Sequence, residues 1–321
     1  MTSRRDRHPL RVGALVWPQK ATWPQLREAA LAVDDAGLDS LWTWDHLHAI
    51  EGDPNQEIFE GWTLLAAWAA ITARTQLGLM VGANTFRNPG LTAKEAITVD
   101  HISGGRAWLG IGGAWFDHEH DAHGIDFGSG FGQRLDWLEE AVTGMAALLR
   151  GEDVTSPEGG HYRFRDLRHR PLPVRGPGRL PIMIGGGGEK KTLRTVARHA
   201  DGWNLSGTVE EMRRKVDILA AHCADVGRNV TEIEFTLNPY VCLRDDPQEA
   251  RAALRERLAR HGADHDPDPA SDFLGPEEHV AEMWRPYLEL GFTHLIADSP
   301  APFDRETIER LPRLRALMAG T

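Results

Sequence analysis

Residues 42–50 read WTWDHLHAI. Asp45, His46 and His48 follow directly on a run with the character of a β-strand, with Trp44 before them and an apolar tail behind. Strand ends are usually closed by Gly, Asn or Pro, so an acid and an imidazole at this point call for another reason. An imidazole titrates near neutral pH and suits proton transfer. The plain alternative is a histidine hydrogen-bonded within the core, and the neighbouring Asp45 shifts the reading toward general acid–base work. No Ser or Cys stands in a nucleophile-elbow motif, which disfavours acyl transfer.

Two other stretches carry chemistry. In IGGGGEKKTLRTVARHADGWN, four glycines from Gly185 to Gly188 separate an apolar strand from a helix expected to begin near Glu189. Such a loop lets backbone N–H groups approach a ligand, and the helix N-terminus adds partial positive charge, so a phosphate is expected there. Ser206, at the next strand end, is a candidate hydroxyl donor. A tight turn alone would need only one or two of the glycines. In DHEHDAH (117–123), His118, His120 and His123 lie beside three acids. They lack the spacing of a His-Glu-x-x-His helix, and His118 and His120 point apart if the chain is extended. No metal site is expected; the stretch reads as a polar lid or cofactor flank.

The elements that must position these residues alternate. Strand signals lie at 10–16, 38–44, 75–82, 106–113, 180–186, 202–206, 232–243 and 293–297. A helical pattern follows each. Thr22 reads as an N-cap with Pro24 in the first turn, and Gly37 as the stop. Eight βα units in 321 residues predict a closed (β/α)₈ TIM barrel with its site at the C-terminal strand ends. An open doubly wound sheet is the alternative, but WPQKATW, without a Gly-x-Gly-x-x-Gly, follows the first strand. Residues 151–178, rich in Pro, Gly and charge, read as an insertion with a short hairpin around HYRF.

Composition excludes several classes. The net charge of -11 argues against nucleic acid and anionic membranes as partners. No run approaches the length of a membrane span, and MTSRRDRHPL has no apolar stretch behind it, so no signal peptide is expected. Two cysteines are no disulfide framework, which fits a reducing cytoplasm. Eleven tryptophans suggest broad aromatic walls, although a large core accounts for them equally.

Taken together, GLDSLWTWDHLHAI, TARTQLGLMVGANTFRNPGLTAKEAITVDHISGGRAWLGIGGAWFDHEH, IMIGGGGEKKTLRTVARHADGWN and FLGPEEHVAEMWRPYLELGFTHLI resemble the bacterial luciferase-like superfamily. More narrowly, they resemble its deazaflavin-dependent branch, whose cofactor is coenzyme F420. The resemblance implies one barrel domain over 1–321 with an insertion after strand four, matching 151–178. It implies Asp45 and His46 beside the cofactor ring, with His46 as the acid or base, oriented by Asp45 or by backbone. It implies a non-prolyl cis bond at Met80–Val81, with Val81 and Ala83 against the ring. Gly187, Gly188 and Ser206 would hold the phosphate, and Gly112, Trp115 and His118 would add cofactor contacts.

Two positions depart from the sugar-phosphate dehydrogenases of that branch. Trp115 stands where they carry Glu, and Ile50 where they carry Trp. Both changes favour a small, fairly apolar substrate such as an enone, imine or secondary alcohol. The expected activity is hydride transfer with F420 in a cytoplasmic homodimer. The alternatives are an FMN-dependent monooxygenase and a non-catalytic flavin-binding protein; Asp45 and His46 together argue against the latter.

Overall fold

A computed structural model describes residues 7–263, 265–268 and 271–320. The first half runs β1 (Arg11–Val16), α1 (Trp23–Asp35), β2 (Ser40–Thr43), α2 (Gly61–Ile71), β3 (Gln76–Leu79), β4 (Gly82–Ala83), α3 (Pro89–Ser103), β5 (Ala107–Gly112), α4 (Asp117–His123) and α5 (Phe131–Arg150). The second runs β6 (Ile182–Gly185), α6 (Thr192–His199), β7 (Gly202–Asn204), α7 (Val209–Asp225), β8 (Glu234–Leu237), β9 (Val241–Leu243), α8 (Pro247–His261), β10 (Phe273–Gly275), α9 (Glu277–Glu289), β11 (Phe292–Ser299) and α10 (Arg305–Ala319). Local chemistry sets several of the boundaries. The Gln25 carboxamide accepts from the Thr22 N–H at 2.9 Å at the start of α1, and Gly104 ends α3 in the left-handed region at φ 70°.

Eight strands close in parallel. The ring runs β1, β2, β3, β5, β6, β7, β8 and β11, and β11 pairs back onto β1. It is the TIM barrel that the alternation predicts. Two expected strands are interrupted. The stretch 75–82 breaks after Leu79 and resumes as β4, which pairs with β5 through Gly82–Ile111 and Ala83–Gly112. The stretch 232–243 divides into β8, in the barrel, and β9, which leaves it to pair with β10 in a separate two-stranded sheet. In 151–178, Val154 and Leu167 form an antiparallel bridge.

Period-two alternation sends every second side chain inward. Val12, Ala14 and Val16 join the cluster under the helices, while Leu15 and Trp17 join Trp42, Trp44, Trp108, Met183 and Ile296 in the second cluster. Glycines make room for the large rings. A Cβ at Gly78 would lie 2.4 Å from the Trp42 ring, and one at Gly202 would lie 3.0 Å from that of Trp108.

The lowest inward layer is polar. Arg11 Nη1 lies 3.2 Å from Glu234 Oε2. The Ser40 hydroxyl and His294 Nε2 are 2.7 Å apart. Trp42 donates its indole N–H to the same hydroxyl at 2.7 Å, and Trp108 donates to Gln76 at 2.7 Å. Burial raises the Glu234 carboxyl, but the neighbouring His294 and Arg11 overcome this and hold it at about 2. Burial pushes His294 down, against the pull of the Glu234 carboxylate.

Removing one partner of a buried pair leaves the other uncompensated, so Glu234→Ala should lower unfolding stability by about 3–5 kcal/mol in a urea titration. A carboxyl depressed in the folded state stabilises above its unfolded value, near 4.3. In the parent protein this contribution should vanish as pH falls from there toward about 2, and an acid melt should show the loss.

Candidate active site

The C-terminal strand ends enclose a cavity of about 310 Å³. Its floor is largely backbone and small side chains: Gly82, Ala83, Gly112, Gly113, Ala114, Gly185 and Gly186. The Val81 side chain occupies the space that Cβ atoms at Gly112 and Gly185 would need, at 2.7 and 2.8 Å. Trp44, His46, Ile50, Trp115 and Phe131 form the walls on one side, with Asn204 and Asn238 on the other. Among the described residues, no Lys or Arg lines the cavity.

Asp45 does not orient His46. Its carboxylate is gripped from the other side by Arg87, with Nη1 at 2.7 Å from Oδ2 and Nη2 at 2.9 Å from Oδ1. Oδ2 also accepts the Ala83 N–H at 3.0 Å. Burial pushes this carboxyl up, and the guanidinium and the amide oppose it. Arg87 also bonds Glu60, the N-cap of α2, at 2.6 Å, and faces Glu95 at 3.6 Å. Burial raises Glu95 to about 7 against the pull of Arg87. One guanidinium thus ties the end of β2, the start of α2, α3 and the segment 80–83 together. The bond between Met80 and Val81 is cis.

The partner of His46 is Glu119, one of the three acids of DHEHDAH. That stretch is helix α4 rather than a loop. Its His120 is a core residue, with Nδ1 2.7 Å from the Phe116 carbonyl and Nε2 2.6 Å from the Thr85 hydroxyl. His120 pins the helix, and the preceding Glu119, 1% exposed, reaches His46 Nδ1 at 3.0 Å. The other Glu119 oxygen accepts the Leu47 N–H at 2.9 Å. The His46 ring is boxed edge-on by Trp44, Trp115 and Phe116, with centroids 6.1, 5.6 and 6.3 Å away. Gln19 holds the following loop, accepting from the Ile50 N–H at 3.0 Å and donating to the Glu51 carbonyl at 2.8 Å.

Of the residues singled out in the sequence, Asp45, His46, Val81, Ala83, Gly112 and Trp115 line the cavity. His118 does not; it is exposed, with its ring 5.0 Å from that of His48. Gly187, Gly188 and Ser206 lie beyond the lining residues, on the β6 and β7 side. The helix after the glycines starts at Thr192 instead of Glu189. The glycine that needs left-handed backbone is Gly186, at φ 114°. At Gly188 a Cβ would meet the Thr192 hydroxyl at 2.6 Å. Lys215 Nζ bonds both the Gly187 carbonyl and Glu189, each at 2.8 Å. Among the described residues, no group of three or more His, Cys, Asp or Glu side chains is placed to hold a metal ion, and no helix is long and apolar enough to cross a membrane.

These features define a parallel barrel whose mouth presents backbone and one accessible imidazole to a flat ligand. The chain belongs to the luciferase-like monooxygenase family, whose model matches residues 8–299. It is 30% identical to an F420-dependent glucose-6-phosphate dehydrogenase of Beutenbergia cavernae, over 96% of this chain and 98% of that one. It is 30% identical over 174 residues to an FMNH2-dependent dimethylsulfone monooxygenase of Pseudomonas putida, covering 54% of this chain and 46% of that one. It spans 62% of the length of an uncharacterized Mycobacterium tuberculosis protein to which it is 29% identical. Its fold superposes on a coenzyme F420-dependent tetrahydromethanopterin reductase of Methanopyrus kandleri with a TM-score of 0.78, at 19% identity, over 95% of this chain and 99% of that one.

Replacing Arg87 by Met would strand Asp45 and Glu60 without their shared counter-charge. Arg87→Met should cost about 3–5 kcal/mol in stability. Combined with Asp45→Asn, the loss should be less than the sum of the two single losses, since one interaction is removed by both. Chemical denaturation of the four proteins of that cycle measures it.

Proposed function

We propose that this chain is an F420-dependent oxidoreductase that moves a hydride between the deazaflavin and a small, fairly apolar enone, imine or secondary alcohol. The observation that carries this is the imidazole of His46 facing a glycine-floored cavity that, among the described residues, no Lys or Arg lines. A flat heterocycle fits such a floor because no side chain stands in its way. When bound, a 5-deazaflavin supplies a carbon that gives or takes hydride. Asp45 keeps the Ala83 amide in place, and Val81, Ala83 and Gly112 would hold the ring.

His46 takes or gives the proton at the substrate heteroatom through Nε2, the nitrogen away from Glu119. Trp44, Trp115 and Ile50 line the cavity beside that proton with apolar surface. The cofactor phosphate would be held by Gly187 and Gly188 with Ser206, on the β6 and β7 side of the mouth. Trp115 and Ile50 in the wall, with no Lys or Arg among the described lining residues, disfavour a phosphorylated substrate, although a glucose-6-phosphate dehydrogenase is among the relatives. The same reading takes the chain as one domain with 151–178 as its insertion, working as a cytoplasmic homodimer.

Titration of the purified protein with F420 and, separately, FMN tests the cofactor. F420 should bind more tightly; submicromolar FMN affinity with no F420 binding would transfer the chain to the monooxygenase reading. His46→Ala should slow turnover by roughly 10²–10⁴-fold and leave F420 affinity nearly unchanged; full activity would remove His46 from the chemistry. Gly186→Val forces a β-branched residue into left-handed backbone beside the phosphate loop. It should weaken cofactor binding at least about tenfold, or roughly 1.4 kcal/mol, with the thermal melt still cooperative.

A further inference from the structure

Glu119 makes two bonds that constrain each other. One oxygen accepts the Leu47 backbone N–H at 2.9 Å, a donor that cannot be exchanged for an acceptor. The other faces His46 Nδ1 at 3.0 Å, the nearer of the two contacts, since the first oxygen lies 3.3 Å from the same nitrogen. The side chain is sealed, at 1% exposure, so no solvent replaces either contact. An ionised carboxylate only accepts. The proton of a neutral His46 therefore sits on Nδ1, and the lone pair on Nε2, the nitrogen that Glu119 does not hold. Without that constraint a neutral imidazole exchanges freely between two tautomers, only one of which can accept a proton from substrate at Nε2.

We infer that Glu119 is a positioning residue that fixes the tautomer of His46, so that Nε2 alone exchanges a proton with the substrate. In the oxidative direction the substrate O–H or N–H bond breaks, Nε2–H forms, and His46 becomes the imidazolium, whose Nδ1–H stays on Glu119. In the reductive direction the same Nε2–H proton returns to the substrate heteroatom. The inference rests on His46 being the proton-transfer group of the proposed reaction.

Glu119→Gln tests it with almost the same shape. The Leu47 N–H needs an acceptor, so it takes the carboxamide oxygen and turns the NH₂ toward Nδ1. A donor there forces the lone pair onto Nδ1 and the proton onto Nε2, which reverses the tautomer. Nitrogen-15 NMR of histidine-labelled protein at alkaline pH reads this directly, with His46→Gln used to assign the signal. The wild type should show Nδ1–H and Glu119→Gln should show Nε2–H. In the same samples kcat should fall by about 10²–10⁴-fold while KM and cofactor affinity stay within about threefold. An Nε2–H signal in the wild type would overturn the inference, and so would wild-type turnover by a variant whose tautomer has reversed. If Glu119→Gln does not fold, the wild-type spectrum still decides. If the wild type binds no F420, the proposed reaction fails, whereas the tautomer assignment stands or falls on its own spectrum.

Discussion

The mouth of the barrel depends on a buried carboxylate having found its counter-charge. Asp45 lies at the end of β2 with almost no exposure, where an unpaired charge would be costly. The bidentate guanidinium of Arg87 and the Ala83 amide meet that need with three directed bonds. Because Arg87 also reaches Glu60 and Glu95, the electrostatic requirement becomes a mechanical one. The end of β2, the cap of α2 and the bed of the cavity cannot move independently. His46, the next residue, inherits that fixed backbone.

Inside the barrel, shape follows from a division of labour between tryptophan and glycine. Trp42 and Trp108 fill the middle layer because Gly78 and Gly202 leave them the volume. At the layer above, glycine is used again, but no ring from the barrel fills the space. Gly112 and Gly185 admit only the small branched side chain of Val81, and the rest is cavity. The same residue type thus closes the barrel below and opens it above. What decides between the two is whether a large inward ring reaches the glycine, from the adjacent strand as Trp42 reaches Gly78 or from one strand further as Trp108 reaches Gly202.

Much of this was legible in sequence because it is periodic or local. The strand and helix alternation gave the closed barrel, and strand ends pointed to the layer that lines the mouth. Boundaries failed where tertiary pairing overrode local pattern. The run 232–243 is strand-like on both sides of Asn238–Pro239, yet only Glu234–Leu237 forms a barrel strand; Tyr240 keeps a single bridge to Asp298 of β11, and from Val241 the chain pairs with β10 instead. The stretch DHEHDAH carries no helical amphipathicity, and its anchors are two buried polar residues that find partners on other elements, His120 at Thr85 and Glu119 at His46 and Leu47. The one available hint was its position directly after the barrel strand that ends in Gly112, with Gly124 placed to stop a short helix in left-handed backbone.

The misassigned partner of His46 has a general cause. Side chains of adjacent residues in extended backbone point to opposite sides, so an Asp-His dipeptide at a strand end is poorly placed to form a dyad. Asp45 turns toward α3 and Arg87, and His46 turns toward the β5 side of the mouth. The carboxylate that meets His46 must then come from an element facing it, and Glu119 arrives from 73 positions later in the chain. The helix that carries Glu119 also follows Trp115 and Phe116, which close two sides of the imidazole. One short segment after the fourth barrel strand therefore supplies both the charge that orients the base and two of the aromatic walls beside it. A change in its length or its anchor at His120 would disturb both at once.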